Sequence, residues 1–245
     1  MIIGKKLIEF KRILTMKKIA IIPARSGSKG LPDKNIKELN GKPLLSYSIQ
    51  AATDSGIYDC VHVSTDSNHY AEIARYYGAD VPFLRSSETS SDQADSWSAV
   101  KEVLQKYEAK GQYFDLITLL QPTSPLRDTK DILGAYRMFN DKNADAVVSV
   151  CEMEHSPLWS NTLPDSLSMD CFVRTGGNVQ RQKLQRYYRL NGSIYMVKKD
   201  FLMEDSNIYR KGCYAFIMDR NHSIDIDNLT DFKLAEFLIR GGLSL

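Results

Sequence analysis

Short apolar runs, each closed by a turn or a polar loop, alternate along this chain with stretches of helical period. Ile19 to Ile22 is the first run and breaks at Pro23. A run of this length bounded by turn residues predicts a buried strand. Positions 44, 45, 48, 49 and 52 share one face of a helix with Pro43 near its first turn. Cys60 to Asp66 predicts a second strand, after which Ser67 or Asn68 caps a helix with Ala71, Ile73, Ala74 and Tyr77 inward and Gly78 at its end. Val81 to Leu84 reads as a short strand, and Trp97, Val100, Leu104 and Tyr107 as one helix face. Phe114 to Leu120 is a strand, Asp128 caps a helix with Ile132, Ala135, Tyr136 and Phe139 inward, and Ala144 to Val150 is a further strand.

That rhythm predicts an α/β fold: a Rossmann-like, mostly parallel sheet with helices on both faces. It stops between Glu152 and Arg189, a stretch rich in Ser, Asn, Asp, Gln and Arg. The stretch reads either as an insertion outside the sheet serving association, or as a surface loop. Strands resume at Gly192 to Val197 and Tyr214 to Met218, and a last helix buries Phe232, Ala235, Leu238 and Ile239. Residues 16–245 thus form one expected domain with 152–189 as its insertion. Residues 1–15 are read as a leader, with Met16 as an alternative start, or as a short surface helix.

Composition narrows the field by exclusion. Of 245 residues, 43% are hydrophobic and 25% charged, ordinary for a soluble globular protein. A net charge of +2 argues against a nucleic-acid or membrane-surface partner. There is no transmembrane run and no secretory signal. Cys60, Cys151, Cys171 and Cys213 show no paired spacing, so a reduced compartment, the cytoplasm, is expected.

Candidate chemistry gathers in a few loops. After the first strand, Arg25, Lys29 and Lys34 accompany Gly27, Gly30 and a single acid, Asp33. Glycines free backbone N–H groups to face phosphate oxygens while the cations neutralise them. Asn35 adds an amide. The same loop is also compatible with ordinary surface cations. At the end of another strand, Gln121, Thr123, Ser124 and Arg127 are interleaved with two prolines, a mixture suited to a polyhydroxylated ligand or to a rigid connection. Asp225 and Asp227 alternate with Ile224 and Ile226. On an extended backbone both carboxylates share a side and suit Mg²⁺; before a helix they also suit its dipole. Arg189 can clamp a carboxylate or simply face solvent. Arg85 and Ser96 flank a polar loop that can face a nucleotide.

Taken together, the stretches 22–35, 63–66, 119–127, 189–195 and 223–227 resemble the CMP-N-acetylneuraminate (CMP-sialic acid) synthetases, or acylneuraminate cytidylyltransferases. The likeness runs from about Met16 to Arg240 in the family's order. It implies attack by the C2 hydroxyl of a nine-carbon 2-keto sugar acid on the α-phosphate of CTP, with release of pyrophosphate. It also implies that Arg25, Ser28, Lys29, Lys34 and Asn35 hold the nucleotide with Arg85 and Ser96. By the same pattern Gln121, Thr123 and Ser124 face the sugar, Arg189 pairs with its carboxylate, and Asp225 and Asp227 bind Mg²⁺. Arg25, Lys29, Lys34, Asp225 and Asp227 are then the catalytic set. The family is usually a homodimer, with the 152–189 insertion reaching over the partner's site. Gln93, Asp95 and Leu190 depart from the family's pattern. The acceptor is expected to be N-acetylneuraminate, with legionaminic, pseudaminic or Kdo acid as alternatives. A metal-dependent glycosyltransferase and a non-catalytic nucleotide-binding module are the competing classes.

Overall fold

The structure, a computed structural model, describes residues 16–241 apart from residues 29, 92–94 and 174–179. Strand β1 (Lys18–Pro23) sends alternate side chains to opposite faces of a sheet, and Ile19, Ala20, Ile21 and Ile22 are all fully buried. A strand buried on both sides needs helices on both faces. A small antiparallel pair, β2 (Glu38–Leu39) and β3 (Lys42–Pro43), leads into α1 (Leu44–Ser55). Next come β4 (Cys60–Ser64), α2 (Asn68–Tyr76), a single turn α3 (Ser87–Ser90), α4 (Ser96–Glu108) and β5 (Leu116–Leu120). The chain closes with α5 (Thr129–Asp141), β6 (Ala146–Glu152), β7 (Tyr188–Lys198), α6 (Lys199–Glu204), β8 (Cys213–Ile217) and α7 (Leu229–Ile239).

The main sheet has the order β4-β1-β5-β7-β6-β8. Neighbours are parallel except at β7, which runs antiparallel to both β5 and β6. Ala20 and Ile22 face α1, α2 and α5 through Leu45, Ile49, Ala71, Ile132 and Phe139. Ile19 and Ile21 face α4 and α6 through Val100, Leu104 and Leu202. The chain passes from β1 to β4 on one side and then crosses to β5 on the other. Loops at such a reversal splay apart beyond the strand ends and leave a crevice there.

Local signals account for most boundaries. Ser67 accepts from the Tyr70 amide at the start of α2, and Gly78 follows it at φ +93°. Asp128 and Asp131 form a reciprocal capping box on α5. Asp95, one of the departures from the family's pattern, caps α4 by accepting from Ser98 N at 2.6 Å.

Three expectations change. The strand at Val81 to Leu84 reduces to a single bridge between His62 and Asp80; Pro82 offers no N–H to extend it. The mostly parallel sheet holds, with β7 antiparallel to its neighbours; what changes is the insertion, of which only 153–187 lies between the paired strands β6 and β7. Glu152 pairs with Tyr188 and Cys151 with Arg189, so both ends of the 152–189 stretch lie in the sheet. Finally, 224–227 is an irregular segment after a 3₁₀ turn at Asn221–Ser223, so the alternation there is partial: Ile226 is fully buried while Ile224 is half-buried. The leader lies outside the described residues.

Candidate active site

The loop leaving β1 is pinned from beneath. Ser26 donates its amide and hydroxyl to the two oxygens of Asp66, at 2.7 and 3.0 Å. Asn35 Nδ2 donates to the Arg25 carbonyl at 3.0 Å, and Tyr70 donates its hydroxyl to Asp33 at 2.9 Å. Asp33 sits in the left-handed region at φ 50°. These contacts tie the described residues on both sides of Lys29 to the body of the protein.

Across from it lies the end segment. Lys34 Nζ donates to the Ile226 carbonyl at 2.5 Å and stands 3.5 Å from Asp227 Oδ1. Gly30 packs so closely that a Cβ would lie 2.8 Å from the Asp227 carbonyl oxygen. Thr123 connects the third loop, its carbonyl accepting from Ile226 N at 2.8 Å. Together these enclose a cavity of about 540 Å³ lined by Arg25, Ser28, Gly30, Lys34, Asn35, Arg85, Ser96, Gln121, Thr123, Asp225 and Asp227, with Pro23 and Pro122.

The electrostatics suit a polyanion and a cation together. Burial pushes the Asp225 carboxyl above its usual range. A hydrogen bond from Thr123 opposes this, the charge of Asp227 adds to it, and Lys34 and Arg189 pull it back. Asp225 Oδ1 is buried with no hydrogen-bond partner among the described residues. An unpartnered buried carboxylate oxygen beside a second carboxylate fits a hard divalent cation. Arg85 is braced by Thr89, whose side-chain and backbone oxygens accept from its guanidinium, and Arg25 reaches the Ser90 carbonyl at 3.2 Å.

Of the residues singled out from sequence, ten line this cavity. Lys29 lies outside the described residues, although Ser28 and Gly30 on either side of it are in the lining. Ser124 is fully buried and absent from the lining. The turn closed by its amide on the Gln121 carbonyl, at 3.3 Å, directs its side chain into the protein. Arg189 is exposed on β7 outside the lining, though its charge reaches Asp225. Sequence reasoning passed over the supports: Asp66 beneath the first loop, and Gly192, discussed below. Both lie in stretches that carry the family likeness, but their work depends on contacts that spacing does not reveal. A separate group, Asp128, Asp131 and His222, brings three ligand-type side chains together at the start of α5, His222 coming from the 3₁₀ turn Asn221–Ser223. There Asp131 is already engaged by the cap and by His222 Nδ1 at 2.8 Å.

Fold and cavity define a Rossmann-like α/β protein with a cation- and acid-lined crevice at the reversal point of its sheet. The family profile described as Cytidylyltransferase matches residues 19–238, and the chain belongs to that family. It is 40% identical over 219 residues to an N-acylneuraminate cytidylyltransferase of Streptococcus agalactiae, covering 89% of this chain and 52% of that protein. The chain therefore spans about half the length of such relatives. It is 35% identical to the CMP-N,N'-diacetyllegionaminic acid synthase of Legionella pneumophila, covering 91% of this chain and 97% of that one. A pseudaminic acid cytidylyltransferase of Campylobacter jejuni is 34% identical, covering 92% and 97%. Among solved structures, a CMP:2-keto-3-deoxy-manno-octonic acid synthetase complexed with CTP superposes with a TM-score of 0.69 at 18% identity. It covers 93% of this chain and 100% of that one, a likeness of fold.

Proposed function

We propose that this protein transfers the cytidylyl group of CTP to the C2 hydroxyl of a nonulosonic acid, N-acetylneuraminate first, and releases pyrophosphate. The observation that carries the reading is the single cavity shared by the β1 loop and the Asp225–Asp227 segment. In-line displacement at phosphorus asks a protein mainly for positioning and charge neutralisation. Arg25, Ser28, Gly30 and Lys34 face the triphosphate, with Lys29 expected beside them. Arg85 and Ser96 face the nucleoside. Gln121 and Thr123 orient the acceptor, and Arg189 attracts its carboxylate at the rim. Asp225 and Asp227 are the residues that would hold Mg²⁺, which when bound neutralises phosphate charge and lowers the pKa of the attacking hydroxyl. Lys34, bonded to the backbone between those aspartates, fixes the acid segment against the phosphate loop.

Legionaminic or pseudaminic acid is the second reading for the acceptor, favoured by the relatives matched over nearly their whole length. The cytoplasm is the proposed compartment. A homodimer is the proposed assembly, its interface formed by the 152–189 insertion. Leu163, Leu167 and Met169 are exposed on that insertion, and such apolar exposure supports a docking role.

The deciding experiment is pyrophosphate release from CTP and Mg²⁺ with sialic, legionaminic, pseudaminic and Kdo acids offered in parallel. Release is expected with one nine-carbon acid above the others. Silence with every acceptor would remove the cytidylyltransferase reading.

A further inference from the structure

Arg127 is among the largest fully buried side chains of the protein. Among the described residues no carboxylate makes an ion pair with it. Burial lowers its pKa to about 10, so it remains a cation at neutral pH. A buried cation without a counter-charge is costly unless its donors are used. Here the two Nη groups are used, on two backbone carbonyls and one hydroxyl, while Nε is buried with no partner among the described residues. Nη1 donates to the Ser193 carbonyl at 3.0 Å and the Gln121 carbonyl at 3.3 Å, and Nη2 donates to Ser48 Oγ at 2.5 Å.

Those acceptors belong to three elements around the cavity: β7, the loop after β5, and α1. Gln121 is thereby held at both ends. Its carbonyl is gripped by Arg127, while its side-chain oxygen rests on Gly192, where a Cβ would lie only 2.7 Å away. Gly192 directly precedes Ser193, the other carbonyl in the grip. Two residues past Gln121, the Thr123 carbonyl accepts from Ile226, the residue between the two aspartates.

We propose that Arg127 is a positioning residue that sets the spacing between the Gln121–Thr123 loop and β7, and through Thr123 the register of the Asp225–Asp227 segment. The inference rests on the reading that Gln121 and Thr123 face the acceptor. An apolar side chain can fill the same volume, but it cannot donate to two carbonyls and a hydroxyl at once.

The test compares Arg127→Met and Arg127→Lys with the wild-type chain, measuring KM for the acceptor and for CTP, kcat, melting temperature, and deuterium exchange of the peptide containing Ile226. The Met variant is expected to raise the acceptor KM roughly tenfold and to lower kcat, with CTP KM within about twofold, as loss of a positioning hydrogen-bond set predicts. Lys should recover part of the loss, and exchange at Ile226 should quicken in the order wild type, Lys, Met. An unchanged acceptor KM and exchange rate in folded Arg127→Met overturns the proposal. So does an equal rise in both KM values alongside a fallen melting temperature, which marks a residue that only fills the core. If Met does not fold, the Lys variant carries the same comparison. If the wild-type chain turns over no acceptor, the functional reading fails separately, and the exchange order alone decides Arg127.

Discussion

Lys34 and Asp227, 193 residues apart in the chain, stand 3.5 Å from each other across the cavity. Their contact joins the phosphate-facing loop to the acidic segment. The Lys34 ammonium, mostly buried, also caps the Ile226 carbonyl. Replacing it by Met should raise the CTP KM at least tenfold, roughly the worth of one charge-assisted hydrogen bond. Steady-state kinetics with CTP varied at saturating acceptor checks this; an unaltered CTP KM would detach Lys34 from the nucleotide.

Asp225→Asn should keep the fold and lose turnover by roughly a hundredfold or more, the scale of losing a charge that stabilises the transition state. Removing a desolvated carboxylate relieves the protein of a burial cost, so the melting temperature should stay level or rise. Full turnover at the same Mg²⁺ concentration would end the metal assignment.

Gly192 has φ +73°, and its missing Cβ leaves room for the Gln121 side chain and lies 3.5 Å from where Asp225 Oδ2 sits. Gly192→Ala should destabilise by about 1 kcal/mol or more through backbone strain alone. It should also push Gln121 aside. Chemical denaturation and the acceptor KM read the two effects, and neither changing would show that the β7 backbone does not support Gln121.

Arg189→Ala should weaken the acceptor far more than CTP, since its charge acts at the rim near Asp225. Equal effects on the two substrates would place Arg189 elsewhere than on the sugar carboxylate.

Glu102 braces the loop that carries Arg85. It accepts from Ser86 N at 2.8 Å, Ser86 Oγ at 3.0 Å, Lys106 Nζ at 2.5 Å, and the Thr89 hydroxyl. Burial opposes its charge, but these bonds win and hold its carboxyl at about 2, below its ordinary 4.5. Because the folded value is the lower one, the stabilisation is present above pH 4.5 and is lost as pH falls toward 2. Glu102→Gln should therefore be less stable than wild type at neutral pH, with the gap narrowing through that acid window. Urea melts at pH 7 and pH 3 test this, and a constant gap would refute it.

Much of this protein was legible in one dimension because the signals were local. The apolar run Ile19 to Ile22, short and bounded by turn residues, favoured a buried strand, and the Asp128 and Ser67 caps act within one turn of themselves. The cation-rich loop, the Gln121 loop and the paired aspartates each carried an ordinary structural reading until the family resemblance joined them, and ten of the chosen residues meet in one cavity. What sequence alone left open was long-range and geometric. Nothing in the periodicity of β7 declares its direction, which depends on the 153–187 connection returning beside β6. A serine in a site-like loop, Ser124, turns inward because a turn hydrogen bond reverses the chain. Arg127 reads as one more cation until the fold surrounds it with carbonyls. Side-chain type and period are properties of neighbouring residues; burial, and which distant carbonyl a donor meets, exist only once the sheet has brought its strand ends together.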